Sequence, residues 1–176
     1  MIIRTCLIAL LFSLCLWSCS TTKPEVWIAQ DASLGSFKAF EIQPVFNATG
    51  TPIKQETLAF LTAYLREQFA LQHLQLSSSP EAKSGILVVQ NDILLYETFK
   101  PTGIGFGNFV GTGANRRARC KIRTRLVDKS TNKVVAATLT TKEAGLGAIG
   151  YETQEWFLRE TAAMVAKEVA GMMQPK

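Results

Sequence analysis

The sequence feature that most constrains the fold is an alternation of charge within the segment NRRARCKIRTRL, residues 115–126. Successive side chains of a β-strand point to opposite faces, so a period of two sorts residues by face. The cations share one face: Arg117, Arg119, Lys121, Arg123 and Arg125. Small and apolar residues share the other: Ala118, Cys120, Ile122, Thr124 and Leu126. Residues 116–128 are therefore predicted to form a strand with an apolar inner face and a cationic outer face.

Further segments have the residue pattern of a helix or a strand. Strands are predicted over residues 37–45, 85–99 and 134–141, and helices over residues 54–73 and 151–173. The resulting order is β-α-β-β-β-α. A helical crossover favours parallel pairing of the first two strands, and the loops that join the last three favour antiparallel pairing. We expect an α+β fold with a mixed sheet of about four strands and two helices on one face.

The first twenty residues, MIIRTCLIALLFSLCLWSCS, have the layout of a secretory signal peptide. A single cation, Arg4, precedes an apolar run that is shorter than the roughly 20 residues of a spanning helix. The small residues around Cys19 resemble the lipobox of bacterial lipoproteins, although Trp17 stands where a small residue is usual. The resemblance implies cleavage before Cys19 and acylation of that cysteine, with palmitate among the chains attached. The alternatives are an ordinary secretory signal and an uncleaved anchor helix.

The predicted organisation is a signal peptide over residues 1–18, a lipidated cysteine and tether over residues 19–35, and one domain over residues 36–174. By resemblance to Gram-negative sorting signals, Ser20 implies the outer membrane, with the domain facing the periplasm. Trp27 and Ile28 are apolar exceptions in the tether, and they either dock on the domain or lie near the lipid headgroups. The formal net charge of +5 falls to +4 without Arg4, which is less basic than a typical nucleic-acid-binding protein.

The hairpin sequence LVDKSTNKVV, residues 126–135, resembles that of an uncharacterised family of small bacterial lipoproteins. The matching residues are Asp128, Thr131, Lys133 and Val134, whereas Asn132 replaces the usual glycine. The resemblance covers roughly residues 36–173. The expected architecture is also similar to the periplasmic domain of the curli secretion lipoprotein and to the amino-terminal domain of the Tol-Pal translocation protein. These relatives imply a role in assembly and docking, and they supply no catalytic residues.

The cationic face has two interpretations. Acidic residues on neighbouring strands, Asp92, Glu97 and Glu143, favour cross-strand pairing and a merely solvated face. Lys133 and Lys142 add positive charge, so neutralisation is expected to be partial. The alternative is a surface for an anionic lipid, glycan or acidic protein, because guanidinium groups suit phosphates and carboxylates. Nucleic acid is not an expected partner, because interleaved exposed aromatic residues are missing.

A glycine-rich segment, PTGIGFGNFVGTG over residues 101–113, precedes the cationic strand. Phosphate cradles lie at a helix N-terminus, but a strand follows this loop and no GK[ST] motif is present, which disfavours nucleotide binding. The main interpretation is a flexible connection between two antiparallel strands. The alternative is a loop that contacts a membrane or a partner through its apolar residues. Those residues are Ile104, Phe106, Phe109 and Val110.

Few residues in the chain are suited to catalysis. His73 is the only histidine, and its position at a helix end favours a capping role. Cys120 belongs to the apolar face of its strand, which favours packing over nucleophilic chemistry. A hydrolase using Glu143, Glu152 or Glu155 remains as the residual alternative, and no metal or cofactor is expected.

The sequence therefore predicts a membrane-anchored envelope lipoprotein that is not an enzyme. Its expected role is binding or accessory, within an envelope assembly or transport complex, with another envelope protein as its partner. The rival hypothesis is that it binds an anionic envelope lipid or glycan through the strand at residues 117–125. The sequence specifies no oligomeric state.

Overall fold

The computed structural model describes residues 25–77, 85–98, 118–144 and 154–174. Six strands are present in this part of the chain: β1 (Glu25–Ile28), β2 (Ala39–Ile42), β3 (Phe46–Asn47), β4 (Ile86–Glu97), β5 (Ala118–Asp128) and β6 (Lys133–Ala144). The two α-helices are α1 (Gln55–Leu71) and α2 (Gln154–Met173), and a short 3₁₀-helix spans Leu34–Ser36. The α+β class and the pair of helices are therefore confirmed.

The strands form one mixed sheet in the order β1-β6-β5-β4-β2, and β3 pairs with β4 beyond the end of β2. The crossover through α1 joins parallel strands, β2 to β4, and the last three strands are antiparallel neighbours, as predicted. The expected count of four strands is wrong. The first additional strand, β1, lies within the predicted tether and pairs with β6; the second, β3, arises where the predicted strand 37–45 is interrupted.

Both helices cover the same face of the sheet. Their buried side chains form one cluster with the inward residues of the central strands. The fully buried members include Leu61, Leu65 and Phe69 from α1, Leu158, Val165 and Val169 from α2, and Ile93, Cys120, Ile122 and Leu126 from the sheet. Each large apolar side chain buried there contributes about 1.5–3 kcal/mol by leaving water. This burial fixes which face of the sheet remains open.

A row of polar side chains crosses this otherwise apolar interior. The Thr124 hydroxyl donates to Oδ1 of Asn91 over 2.8 Å, joining β5 to β4. The hydroxyls of Thr138 and Thr140 both donate to Oε2 of Glu168, which joins β6 to α2. Buried polar groups need such partners to offset their lost hydration. The two bonds to Glu168 therefore tie α2 to β6.

Two residues other than glycine adopt positive φ in the described segments, and both end a regular element. His73, at φ 59°, follows α1; its N–H donates to the Ala70 carbonyl, and that of Leu74 donates to the Phe69 carbonyl. This is the Schellman pattern of a helix C-terminus, in which glycine is usual at the left-handed position. Asn132, at φ 56°, turns the β5–β6 hairpin, and asparagine tolerates this left-handed conformation better than most other residues.

Candidate binding face of the sheet

The face opposite the helices, called the open face below, consists of alternate residues of the three central strands. It includes Gln90, Asp92 and Glu97 of β4, Arg119, Lys121, Arg123 and Arg125 of β5, and Ala137, Leu139, Thr141 and Glu143 of β6. The predicted alternation is confirmed, because each small or apolar residue of β5 from Ala118 to Leu126 is at most 1% exposed. Arg117 lies outside the described residues.

Carboxylates hold three of these cations in place. Arg119 donates Nε–H and Nη2–H to Oε1 of Glu143, at 2.9 and 2.6 Å. Arg123 donates from the same two nitrogens to Oδ2 of Asp92, at 3.1 and 2.8 Å, and Nη2 of Arg125 reaches the same oxygen at 3.1 Å. Ion pairing raises the pKa of Arg119 above its ordinary value, because Glu143 stabilises the guanidinium. Within the described segments, Lys121 forms no ion pair.

Lys142 is not part of this face. It lies opposite Cys120 in the β5–β6 ladder, which directs it toward α2. There its ammonium lies 3.7 Å from Glu160 and 5.2 Å from the ring centroid of Trp156. The expectation that Lys142 adds charge beside the arginines is therefore wrong. The reason is the strand period, since Lys142 lies two residues from Thr140 and four from Thr138, whose side chains are buried beneath α2.

An irregularity between β2 and β3 creates a pocket at one end of the open face. The four steps from Ile42 to Phe46 lie opposite three steps of β4, from Val89 to Asp92, so this edge contains one extra residue. Pro44 lies within that stretch and has no N–H to donate to a ladder. The main-chain N–H of Val45 instead donates to the Thr62 hydroxyl over 3.0 Å. This contact ties the bulge to α1.

The pocket at this bulge has a volume of about 330 Å³, near the lower end of the range for small-molecule sites. Its wall combines amides, ions and one aromatic ring: Gln43, Phe46, Gln90, Asp92, Arg123 and Arg125. Asp92 is 6% exposed, whereas Phe46 is 64% exposed. Nε of Arg125 is buried and has no hydrogen-bond partner among the described residues. The pocket therefore contains two guanidinium groups that share one carboxylate.

The alternation in the sequence predicts the arginines of this pocket, and Asp92 is an expected counter-charge, but the sequence pattern does not indicate the amides or Phe46. Phe46 follows a segment that was predicted to be one strand through Val45. Pro44 was the available signal, because proline within a strand pattern marks an edge or a bulge. The register that brings Phe46 beside Asp92 depends on that bulge.

Strand β1 adds an apolar edge to the sheet. Val26, Trp27 and Ile28 are 46%, 53% and 37% exposed. Trp27 lies opposite Ala137, which places its side chain on the open face. The alternative in which Trp27 and Ile28 dock on the domain is therefore confirmed at the level of the main chain.

The described residues offer little for catalysis. Burial raises the pKa of the Cys120 thiol to about 12, so its reactive thiolate is scarce at neutral pH. Glu143 is paired with Arg119, and Glu155 lies on α2 near Arg159. No group of three metal-binding side chains occurs in the described ranges, and no helix there is long and apolar enough to span a membrane. Cys19, Glu152 and the four apolar loop residues, Ile104, Phe106, Phe109 and Val110, lie outside those ranges.

Comparison with solved structures shows the fold. The chain is similar to PelC of Paraburkholderia phytofirmans, a dodecamer, with TM-scores of 0.53 and 0.51 in two crystal forms. Each match has 11% identity and covers 88% of this chain and 100% of PelC. At this identity the likeness shows a shared fold. No protein-family model matches the sequence, and no curated protein is significantly similar to it.

Lipoproteins are also among the matched structures. Lipoprotein GNA1162 of Neisseria meningitidis matches with a TM-score of 0.46 at 9% identity, over 76% of this chain and 98% of that one. A DUF4136 family protein of Bacteroides thetaiotaomicron matches with a TM-score of 0.42 at 12% identity, over 86% of this chain and 92% of that one.

Proposed function

We propose that this chain is a lipid-anchored protein of the bacterial envelope with a non-catalytic binding role in an assembly or transport complex. The lipobox-like sequence around Cys19 supports the anchor, and the lipoproteins among the matched structures are consistent with it. The serine after Cys19 favours the outer membrane. We further propose that the domain faces the periplasm and binds another envelope protein.

The observation that carries the binding role is the open face itself. Both helices pack on the opposite side, so no helix of the described residues covers this surface of three long strands. Its arginines are held by Asp92 and Glu143, which limits the side-chain entropy lost when a partner binds. Lys121 lies between Arg119 and Arg123 without an ion pair in the described segments. A partner with a carboxylate opposite Lys121 would complete the charge pattern.

The second candidate is binding of an anionic ligand through the same face. Asp92 lies opposite Arg123, and Glu97 and Glu143 both lie opposite Arg119, so three carboxylates accompany the four described cations of β5. This balance disfavours attraction to a phosphate-rich lipid surface, which needs an extended excess of positive charge. A smaller anionic ligand is favoured at one point of the face. There Arg123 and Arg125 share the single carboxylate of Asp92, which leaves one positive charge in excess.

Site-specific photocrosslinking in cells tests the protein-binding role. A benzophenone residue replaces Lys121 on the open face, and the matched control replaces Lys167, an exposed residue on α2. We expect one envelope protein to be captured reproducibly from position 121 and not from position 167. Capture of a second copy is recognised by mass, since the chain is 19.4 kDa, and would indicate self-assembly as in the PelC dodecamers. The same products from both positions would contradict the proposed surface.

The anchor is tested separately by Cys19→Ser. The substitution removes the thiol that would be acylated, so the protein should move from the membrane fraction to the soluble fraction. Each buried methylene of an acyl chain contributes about 0.8 kcal/mol, so the loss of the chains should release almost all of the protein. A variant that stays in the membrane fraction would show that Cys19 is not the anchor.

A further inference from the structure

We propose that the pocket formed by Gln43, Phe46, Gln90, Asp92, Arg123 and Arg125 binds an acidic sugar unit, such as a uronic acid residue of a glycan. The inference deepens the proposed function, because it rests on the open face being a binding surface. It adds a ligand class and a position that the binding role alone does not specify.

The donors and acceptors of the pocket suit a polyhydroxylated ring. Gln43 and Gln90 each offer an amide that both donates and accepts hydrogen bonds. Asp92 is an acceptor, and its buried Oδ2 already receives three N–H groups. Its remaining acceptor capacity suits a ligand hydroxyl, which is a donor.

The charge of the pocket selects a ligand with a single negative charge. The two guanidinium groups and one carboxylate leave a net charge of about +1. A sugar carboxylate carries one charge and fits the guanidinium fork, whereas a phosphate monoester carries about −1.5 to −2 near neutral pH. The nearby Asp92 carboxylate would repel the more strongly charged group. The site therefore favours a carboxylate on a hydroxylated ring over a phosphate.

Arg125 is the residue that we assign to the ligand carboxylate. It uses Nη2 for Asp92, and its Nε is buried without a partner in the described part of the chain. Arg123 donates hydrogen bonds from both Nε and Nη2 to Asp92. The Arg125 side chain is 37% exposed, so its remaining guanidinium N–H groups are available to a ligand oxygen.

Phe46 supplies the apolar wall. Its side chain is 64% exposed although it is flanked by polar groups, and the register places it beside Asp92 on the open face. The apolar C–H face of a sugar ring can pack on such an aromatic side chain while its hydroxyls reach the polar wall. An exposed ring next to hydrogen-bonding groups is thus better explained by a saccharide than by a bare anion.

The test measures binding of three probes to the full-length chain purified in detergent. The probes are methyl β-D-glucuronide, methyl β-D-glucoside and inorganic phosphate, and saturation-transfer NMR and calorimetry report binding. We expect the glucuronide to bind about tenfold more tightly than the glucoside, because it adds one charge-assisted hydrogen-bonded pair. Phosphate should not displace it. Absence of glucuronide binding at millimolar concentration, or its displacement by equimolar phosphate, would overturn the proposal.

Three variants locate the site. Arg125→Gln should abolish the preference for glucuronide over glucoside, and Phe46→Ser should weaken both sugars about equally. Arg119→Gln is the matched control, since Arg119 lies on the same strand face but outside the pocket; both affinities should stay unchanged. Phe46 is mostly exposed, so its replacement leaves the core intact. Loss of binding in the Arg119 variant equal to that in the Arg125 variant would show general charge attraction and refute the pocket.

The two proposals fail in different experiments. Capture of an envelope protein from position 121 without any glucuronide binding would leave the proposed function standing and remove the saccharide site. Glucuronide binding without protein capture would keep the saccharide site and remove the protein partner from the proposed function.

Discussion

Replacing His73 with glycine should stabilise the domain. His73 occupies the left-handed position of the Schellman pattern that ends α1, at φ 59°. An L-residue in this conformation suffers a clash of its Cβ that costs about 1–2 kcal/mol, and glycine has no Cβ. Glycine also increases the conformational entropy of the unfolded chain, which offsets about 0.4–1 kcal/mol. The net expectation is a gain of about 0.5–1 kcal/mol in the free energy of unfolding.

The His73 side chain is exposed, so its removal should forfeit little packing. His73→Ala retains the Cβ and should change stability by less than about 0.5 kcal/mol. The matched control is Gln72→Gly at the preceding residue, where φ is −84°. There glycine relieves no strain and should destabilise by about 0.5–1 kcal/mol.

Urea unfolding followed by circular dichroism measures the free energy of unfolding of all three variants, and thermal unfolding measures their Tm. For a domain of this size, a gain of 1 kcal/mol corresponds to a rise of about 2–4 °C in Tm. The reasoning is refuted if His73→Gly is no more stable than His73→Ala. That result would mean that the imidazole, through the helix dipole or a contact, matters more than the backbone conformation.

Two further predictions concern titratable groups. The Ser130 and Thr131 hydrogen bonds hold the pKa of Asp128 below its ordinary value of 3.8, so their stabilisation is complete above that value and is lost as the pH falls through the lower folded pKa. Asp128→Asn should therefore be less stable than the wild type at pH 7, with a gap that closes in acid-unfolding curves below about pH 4; a gap that stays constant to pH 2 would contradict this. Burial raises the pKa of Cys120 to about 12, so iodoacetamide should label the peptide containing it in the urea-unfolded protein but scarcely in the native protein. Fast native labelling, measured by peptide mass spectrometry, would show that the strand opens locally.

The sequence predicted those parts of the fold that depend on local periodicity. The apolar spacing in α1 and the alternation in β5 each identify a buried face without knowledge of the neighbours. The crossover between β2 and β4 followed from the order of elements. Strand β1 was missed because its EVWI sequence is short and follows a polar, proline-containing stretch. Strand β1 forms because the main chain of β6 pairs with it, and the local sequence of residues 25–28 does not reveal this distant partner.

Only one part of the candidate site could be predicted from the sequence, namely the strand face that the cations of β5 share. Alternation shows that Arg119, Arg123 and Arg125 share a face, but it cannot show which residues lie opposite them. Glu143 and Asp92 were named as nearby acids, yet the sharing of Asp92 by two arginines depends on register and side-chain reach. The amides and the ring of the pocket depend on the bulge near Pro44, whose exact position follows from packing on α1.

A single extra residue in β4 further decides the charge of the open face. Ile93 lies opposite Ile122, but Leu95 lies opposite Lys121, so the strand contains a bulge at this point. With uninterrupted pairing, Glu97 would lie opposite Ala118 and point toward the helices, because a one-residue shift exchanges the two faces of a strand. The bulge instead places Glu97 opposite Arg119, and it directs Tyr96 inward beside Cys120, where Gln154 of α2 donates to its hydroxyl over 2.8 Å. The position of Glu97 beside Arg119, and with it the distribution of charge on the open face, is thus a consequence of backbone register and not of composition.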